Sequence, residues 1–430
     1  MPVHSSDSEP FAARNIYAFG ITSFLNDTAT EMAYWVLPAF LVSLGAGPAQ
    51  LGLIEGVAES VASFAKLFSG YLTDRIDRRK PLVVAGYAVA NAVKPLLALA
   101  TAWWHILLIR FSDRLAKGVR GAPRDVMVAE SVPNEKLGSA YGLIQSMDSA
   151  GAIAGPLAAL ALLAHYGIRG VFWAAALPGA LCVMVALFGI RETGRSNSSQ
   201  KQREVGHPAS DASSVEKADT VSRERTVRTA KAAVPTRASE PLPVAFYIVL
   251  IAVTFFSLGN SSDMFLVMRA QNVGIAVALA PLLGLVFNIT YTLGSWPAGW
   301  FSDHFSRRWI AAAGYLIFAA VYFVFARAPS TLAMWIAMAV YGMYYALTQP
   351  VLKALVVETV GQEVRGRALG VYFFATSVAT LGASLITGEL WKHYGAEVPF
   401  YFSAGLAAVS AILLIVRPPR KAHRLPAIIS

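Results

Sequence analysis

Long apolar runs alternate with short polar gaps along most of the chain. A helix that crosses a bilayer needs roughly 20 mostly apolar residues, and it satisfies its own backbone hydrogen bonds within lipid. The pattern therefore predicts an all-α membrane protein with twelve transmembrane helices. The predicted spans are 15–43, 49–72, 81–102, 105–130, 137–164, 170–190, 244–268, 276–302, 309–327, 331–359, 366–390 and 397–416.

A polar stretch, residues 191–243, interrupts this alternation between the sixth and seventh spans. It is rich in Ser, Thr, Lys, Arg and Glu and almost free of aromatic residues. Such a composition cannot bury enough apolar surface to fold. We therefore predict a disordered cytoplasmic linker between two six-helix bundles, at 15–190 and 244–416.

Composition and charge fit a protein embedded in a lipid bilayer. Hydrophobic residues make up 56% of the chain and charged residues 14%, whereas soluble domains carry about 25% charged residues. The net charge of +10 does not indicate nucleic-acid binding, because Lys and Arg cluster between the apolar runs, as the positive-inside rule describes. Ten of them lie in the linker. This distribution predicts a multi-pass protein of the cytoplasmic (inner) membrane with both termini on the cytoplasmic side.

The two halves of the chain are related in sequence. "VAESVPNEKLGSAYGL" (128–143) aligns without gaps to "VVETVGQEVRGRALGV" (356–371). "NDTATEM" in the first helix and "GNSSDM" in the seventh place Glu31 opposite Asp263. Each half is therefore predicted to be one copy of a six-helix repeat. Such repeats are typical of secondary transporters, whose substrate site lies between the halves near the bilayer midplane.

A short charged loop also occurs twice, as "GYLTDRIDRRK" (70–80) and "GWFSDHFSRRW" (299–309). The shared pattern G-x-x-x-D-x-x-x-R-R resembles the signature loop of the major facilitator superfamily. The resemblance implies that superfamily's fold and transport by alternating access. It also implies that Asp74 faces the start of helix 11 and that Gly70 lets neighbouring helices approach closely. We expect Arg78 and Arg79 to reach Glu130, and the second copy to repeat this gate with Gly299, Asp303, Arg307, Arg308 and Glu358.

Helix 4 carries an unusual row of charges, spaced three and four residues apart, which places most of them on one helical face. Lipid would penalise each charge by several kcal/mol, so this face must look into the protein or into water. "RLAKGVRGA" resembles the helix-4 motif of proton-coupled drug exporters, with Arg114 as its arginine. Arg120 stands where that motif has a small residue, and this additional positive charge is compatible with an anionic substrate. The row consists of Arg110, Asp113, Arg114, Lys117, Arg120 and Arg124.

The first helix holds two acids, Asp27 and Glu31, one turn apart near the bilayer middle. We expect the ion pairs Asp27–Lys117 and Glu31–Arg114, and a structural pair between Glu59 and Lys94. A partly desolvated acid beside a cation suits a proton carrier; a static charge network is the alternative. The predicted proton-coupling residues are Asp27, Glu31 and Asp148.

The fifth helix contains "GAIAGP" (151–156), which resembles an antiporter motif of the superfamily, although packing of small residues explains the same letters. The second half contributes tyrosines rather than charges. One cavity wall would thus be charged and the other aromatic, which suits an amphipathic or aromatic substrate. The predicted cavity residues are Asn26, Arg114, Lys117, Gln145, Asn260, Asp263, Tyr341 and Tyr345.

These observations favour a proton-driven exporter of a small organic compound. The alternative is a proton- or anion-coupled importer of an anionic metabolite, which would use the basic face of helix 4. No H-E-x-x-H, G-x-S-x-G or Walker sequence occurs, so we expect neither an enzyme nor an ATP-driven pump, and no metal or cofactor. The expected partners are the lipid bilayer, protons and a small-molecule substrate, and we expect a monomer.

Overall fold

The computed structural model describes residues 8–73, 76, 78–132, 137–193, 241–327, 329–360 and 364–416, and every regular element among them is a helix. In the N-terminal half, a 3-10 helix, Lys94–Leu99, extends the fourth α-helix. The α-helices of this half are α1 (Ser8–Tyr34), α2 (Leu37–Ser43), α3 (Pro48–Thr73), α4 (Lys80–Val93), α5 (Trp103–Glu130), α6 (Leu137–Ala174) and α7 (Ala176–Phe188).

The C-terminal half follows the same order, and its first predicted span is also divided into two helices. A 3-10 helix, Val277–Leu279, precedes the third α-helix of this half. The α-helices are α8 (Val244–Gly259), α9 (Met264–Asn272), α10 (Ala280–His304), α11 (Arg307–Arg327), α12 (Thr331–Glu358), α13 (Arg365–Tyr394) and α14 (Val398–Val416).

Eight segments of the described residues are long and apolar enough to cross a membrane. One of them, Ala140–Phe188, is 49 residues long and contains Gly167 at a φ of 64°, a left-handed conformation that favours glycine. Helices α3 and α5, which carry most of the buried charges, fall outside the eight, and so does α1. The prediction of an all-α, multi-pass membrane protein is confirmed, and the count of twelve spans stays a prediction.

The two halves meet where α3 packs on α13 and α6 packs on α10. A Cβ atom on Gly52 would lie 2.3 Å from the carbonyl oxygen of Ser384, and one on Gly388 would lie 2.7 Å from that of Pro48. These glycines lie at the end of the bundle opposite residues 193 and 241, which are the described residues at the two borders of the predicted linker. We call this end the opposite end, and the end where the linker attaches the linker end.

Farther along the same two helices, the ring centres of Phe64 on α3 and Phe374 on α13 lie 6.0 Å apart, and no close glycine approach follows towards the linker end. A Cβ atom on Gly70 of α3 or on Gly370 of α13 would meet nothing within 4 Å. The expectation that Gly70 brings neighbouring helices close is therefore wrong for this conformation, because the space beside Gly70 is open. Among the described residues, the closest approaches of α3 and α13 therefore lie towards the opposite end.

The interiors of the two halves differ in chemistry. In the C-terminal half, aromatic rings stack at centroid distances of 3.9 Å, Phe256 on Tyr315 and Phe318 on Tyr322. Such pairs add about 0.5–1.5 kcal/mol each to the burial of their surface. The N-terminal half instead buries ionised side chains between α3, α4 and α5. The sequence-based contrast between a charged half and an aromatic half thus extends into the packed core.

The charged loop after α3 is tied to the end of α5. Arg79 Nη1 donates to both carboxylate oxygens of Glu130 at 2.6 Å, and Thr193 Oγ1 donates to Glu130 at 2.8 Å. Glu192 accepts the backbone N–H groups of Arg79 and Lys80 at 2.8 and 3.1 Å, which occupies free donors at the start of α4. Residues 191–193, assigned to the linker from the sequence, therefore belong to the N-terminal bundle.

The second copy of the loop repeats this arrangement in part. Arg307 pairs with Glu358, and Arg308 donates to the carbonyl of Leu414. At the start of this half, Leu242 is buried in the hydrophobic core. Among the other predicted gate residues, Arg78 is exposed, Gly299 and Asp303 lie within α10, and Asp74 lies outside the described residues.

Replacing Glu130 with glutamine is expected to destabilise the N-terminal bundle by about 1–3 kcal/mol, because two charge-assisted contacts lose their charge. The midpoint of thermal unfolding in detergent measures this. Glu358→Gln in the repeat copy is the matched control, expected to cost under about 1 kcal/mol, since the Glu358 side chain is 52% exposed and that of Glu130 26%. Equal shifts in the two variants would contradict the distinction.

Candidate functional site

A central cavity of about 210 Å³ lies between the two halves. A second cavity of about 260 Å³ adjoins it towards the linker end. Both are lined by Asn26, Asp27, Lys117 and Arg120, which therefore mark their junction. The central cavity is further lined by Thr30, Glu31, Tyr34, Trp35, Glu59, Asp113, Arg114, Asp263, Phe287 and Asn288. The adjoining one is further lined by Ser23, Ala62, Ser63, Lys66, Tyr87, Gly118, Gly121, Arg124, Asp125 and Asp148.

The acids of α1 are held by neutral donors. Trp35 Nε1 donates to Glu31 Oε2 at 2.6 Å, and Asn26 Nδ2 donates to Asp27 Oδ1 at 3.0 Å. Helix α6 presses closely on this part of α1, because a Cβ atom on Gly155 would lie 2.7 Å from the Cβ of Glu31. The small residues of "GAIAGP" therefore serve helix packing, and they help to position Glu31.

The predicted pairs Glu31–Arg114 and Asp27–Lys117 are wrong. Arg114 Nη2 instead lies 3.4 Å from Glu59 Oε1, and no ion pair within 4.0 Å involves Lys117 among the described residues. The reason is helix arrangement: α3 packs along the length of α5, whereas α1 packs mainly on α6. Glu59 on α3 therefore reaches the basic face of α5 before the acids of α1 do.

The predicted Glu59–Lys94 pair is also wrong. Lys94 is buried, and its Nζ donates to Asn91 Oδ1 at 3.0 Å and to Asn26 Oδ1 at 3.4 Å. Asn91 lies one turn before Lys94 on α4, so the local helix geometry supplies this ammonium with acceptors. Lys94 thus links α4 to α1 through amide side chains.

A buried ion pair joins α3 to α5. Arg110 donates twice to Glu55 Oε1, at 2.9 and 2.7 Å, and once to Oε2 at 2.9 Å. Glu55 also accepts a hydrogen bond from Ser262 Oγ in the C-terminal half at 3.0 Å. This pair was not predicted from the sequence. The network therefore connects the halves on the closed side of the central cavity.

Asp263, the repeat counterpart of Glu31, lies in the break between α8 and α9. Tyr341 Oη donates to Asp263 Oδ1 at 2.7 Å, and Tyr345 Oη lies 3.5 Å from the same oxygen. Both tyrosines were predicted to line the cavity, yet neither does; they stand behind Asp263 and hold it. Asn260 contacts Tyr344 Oη at 3.5 Å, and Gln145 is exposed and outside both cavities.

Several cavity residues were missed from the sequence. Trp35 follows Glu31 by four residues, and this helical spacing was a usable signal. Phe287 and Tyr34 had no such signal, because their place in the cavity depends on how the halves meet. Asn288 Nδ2 donates across the interface to the carbonyl of Ala152 at 3.0 Å. In the described part of the chain, no group of three or more His, Cys, Asp or Glu residues could hold a metal ion.

The chain was compared with known proteins. The family model described as Major Facilitator Superfamily matches residues 19–269 and 245–430. The chain belongs to the major facilitator superfamily. This major facilitator protein is 29% identical over 419 residues to an uncharacterized MFS-type transporter of Methanocaldococcus jannaschii, and the match covers 96% of each chain.

The chain is also similar in sequence to a second protein over part of its length, and similar in fold to a solved structure. The multidrug resistance protein MdtG of Escherichia coli is 32% identical over 185 residues, which is 42% of this chain and 45% of MdtG. A crystal structure of a POT family transporter in complex with a thioalcohol-conjugated peptide superposes with a TM-score of 0.71. That match covers 94% of this chain and 96% of the other at 13% identity. The major facilitator protein therefore has a transporter fold over nearly its whole length.

Proposed function

We propose that this transporter is a secondary active carrier that moves a small organic molecule across the cytoplasmic membrane by alternating access. We further propose that it is a proton-coupled efflux antiporter. The observation that carries the proposal is a pair of carboxylates at equivalent positions of the two halves, Glu31 and Asp263, which line one central cavity. The proton and the substrate would then both shift the same equilibrium between the two access states of the carrier.

The partners of these carboxylates suit a proton carrier. Glu31 is held by an indole N–H and Asp263 by a phenol O–H. When such a carboxylate takes up a proton, only a neutral hydrogen bond changes. Glu55 and Glu59 are paired with arginines instead, and protonating them would leave a buried cation unpaired, which costs several kcal/mol. We therefore assign proton transfer to Glu31 and Asp263, with Asp27 and Asp148 on the side of the linker end.

The shape of the bundle supports alternating access. The glycine contacts of α3 and α13 close the opposite end, and no such close approach occurs at Gly70 or Gly370 towards the linker end. The adjoining cavity connects the central one with the linker end through Lys117 and Arg120. A rocking motion that opens the glycine contacts would expose the central cavity to the other side.

Two observations support export in exchange for protons. One is the similarity to the multidrug resistance protein MdtG over 185 residues, and the other is the "GAIAGP" motif on α6. A second candidate is a proton- or anion-coupled importer of an anionic metabolite, and the basic residues at the junction of the cavities favour it. Everted membrane vesicles loaded with a pH-sensitive dye distinguish the two by the direction of proton movement when compounds are added.

Replacing Glu31 with glutamine is expected to abolish substrate-driven proton movement in proteoliposomes, because the neutral amide keeps the hydrogen bond from Trp35 but cannot carry a proton. The substrate used is the first compound that drives proton movement in the vesicle screen. The Glu31→Gln variant should still bind this compound. Asp27→Asn and Asp148→Asn are measured in parallel. Glu389→Gln, an exposed acid outside both cavities, is the matched control. If all three cavity variants move protons at the wild-type stoichiometry, these acids are structural, and of the two assigned proton carriers only Asp263 remains.

A further inference from the structure

We propose that Arg120 and Lys117 form an anion-binding subsite, so that the transported molecule carries a carboxylate or phosphonate-like group. The inference rests on the proposed function, since it assigns a substrate class to the same cavity. It starts from the partners of the charged side chains that line the central cavity. Those side chains are Asp27, Glu31, Glu59, Asp113, Arg114, Lys117, Arg120 and Asp263.

Every acid among these residues has a partner within the described part of the chain. Glu59 pairs with Arg114, and Asp113 lies 4.0 Å from Arg110. Asp27, Glu31 and Asp263 accept hydrogen bonds from Asn26, Trp35 and Tyr341. Two of the cations lack such partners. Neither Lys117 nor Arg120 makes a hydrogen bond or an ion pair with any described residue.

Arg120 is the more informative of the two, because it is only 6% exposed. Its Nη1 atom is buried and has no hydrogen-bond partner among the described residues. A buried guanidinium without an acceptor is costly, and an anion from outside the chain would offset that cost. The structural alternative, a cation that only packs, would not require the residue to line both cavities, as Arg120 does.

The side chain of Arg120 is held in place by α4. A Cβ atom on Gly86 would lie 2.5 Å from the Cβ of Arg120, so only glycine leaves room for this approach. The guanidinium carbon lies 4.4 Å from the centre of the Tyr87 ring, a cation–π contact that fixes the guanidinium plane. The ring occupies one face of the guanidinium and leaves its N–H edges for an acceptor. A planar fork of this kind matches a carboxylate or phosphonate by two parallel hydrogen bonds.

Lys117 lies one turn before Arg120 on the same helix, and its side chain is exposed at the junction of the two cavities. A mobile ammonium beside a fixed guanidinium would neutralise the second charge of a phosphonate or strengthen a carboxylate contact. The rest of the central cavity offers aromatic surface from Tyr34, Trp35 and Phe287. An aromatic acid therefore fits the site: its ring lies among the aromatic side chains and its anionic group lies on Arg120.

The experiment measures binding to the purified full-length protein by isothermal titration calorimetry, with benzoate, phenylphosphonate and the neutral isostere benzamide as probes. The wild type is expected to bind at least one of the two anions and to bind benzamide at least about ten-fold more weakly. Arg120→Gln should weaken anion binding by about ten-fold or more, and Lys117→Gln by a smaller factor. The two anion arms show whether a carboxylate or a phosphonate is preferred.

Lys66→Gln is the matched control, because Lys66 is an exposed base that lines only the adjoining cavity. It should leave anion affinity within about two-fold, which separates direct contact from general attraction between charges. If Arg120→Gln fails to fold, Lys117→Gln and the benzamide comparison still decide. Binding of both anions no tighter than that of benzamide, no binding of either anion, or equal losses in Lys66→Gln and Arg120→Gln would overturn the subsite. The calorimetric measurement uses no proton gradient. Anion binding would therefore be measured equally well if the proposed proton coupling proved wrong.

Discussion

Replacing Arg110 with methionine is expected to give the largest loss of stability of any single change considered for this protein. The substitution leaves the carboxylate of Glu55, which is 1% exposed, without the bidentate hydrogen bonds from Arg110. Removing one member of a buried ion pair costs about 3–5 kcal/mol, a large share of ordinary protein stability. The yield of monodisperse protein in detergent and its thermal unfolding midpoint would both fall sharply.

The double variant Arg110→Met/Glu55→Leu provides the decisive comparison. Replacing both members of a buried pair with apolar residues is often neutral or stabilising, so the double variant should recover most of the midpoint. Arg124→Met is the control on the same helix, because its pair with Asp125 is partly exposed and is worth under about 1 kcal/mol. An unfolding midpoint for Arg110→Met within the error of Arg124→Met would contradict the role of the buried pair.

Adding one methyl group at Gly52 is expected to shift the protein away from the conformation described here. In Gly52→Ala the new Cβ would lie 2.3 Å from the Ser384 carbonyl oxygen, a distance that forces α3 and α13 apart at the opposite end. A bias of about 1–2 kcal/mol between two states changes their ratio roughly 5- to 30-fold. We therefore expect the opposite end to open more often.

Labelling of a single cysteine measures this shift. Thr387 on α13 is 3% exposed beside the glycine contact, and Thr387→Cys in a Cys182→Ser background gives one site for an impermeant maleimide applied to the opposite end. Labelling should be at least about five-fold faster with Gly52→Ala. Gly405→Ala is the control, since a Cβ there would meet nothing within 4 Å. Unchanged labelling of Gly52→Ala would mean that the glycine contact does not hold the opposite end closed.

Much of the fold could be predicted because apolar length is a local property of the sequence. The predicted span 331–359 and the helix Thr331–Glu358 almost coincide, as do 397–416 and Val398–Val416. The interruptions were missed. Helix α8 stops at Gly259 and α9 begins at Met264, and the side chains of Asp263 and Asn260 in this break contact Tyr341 and Tyr344 of α12. A break that depends on another helix leaves no mark in the hydropathy pattern.

The sequence predicted which side of each helix is polar, but it did not predict which side chains pair with each other. The spacing of charges on α5 indicated one polar face, and all of its residues except Arg110 line the cavities. The sequence-based prediction paired Arg114 with Glu31, although Glu59 on the neighbouring α3 is the acid within 4.0 Å. The sequence does not say which helices are neighbours. For the same reason Tyr341 was placed in the cavity wall, whereas it lies fully buried behind Asp263.

The contacts at the two borders of the linker have a consequence for engineering. Glu192 is bound to the start of α4 in the N-terminal bundle, and Leu242 is packed in the core. Each attachment point is thus fastened to its own half. A pair of fluorescent proteins inserted between residues 194 and 240, one near each border, would follow the separation of the halves by energy transfer. The transporter would then report its own turnover optically, without a labelled substrate.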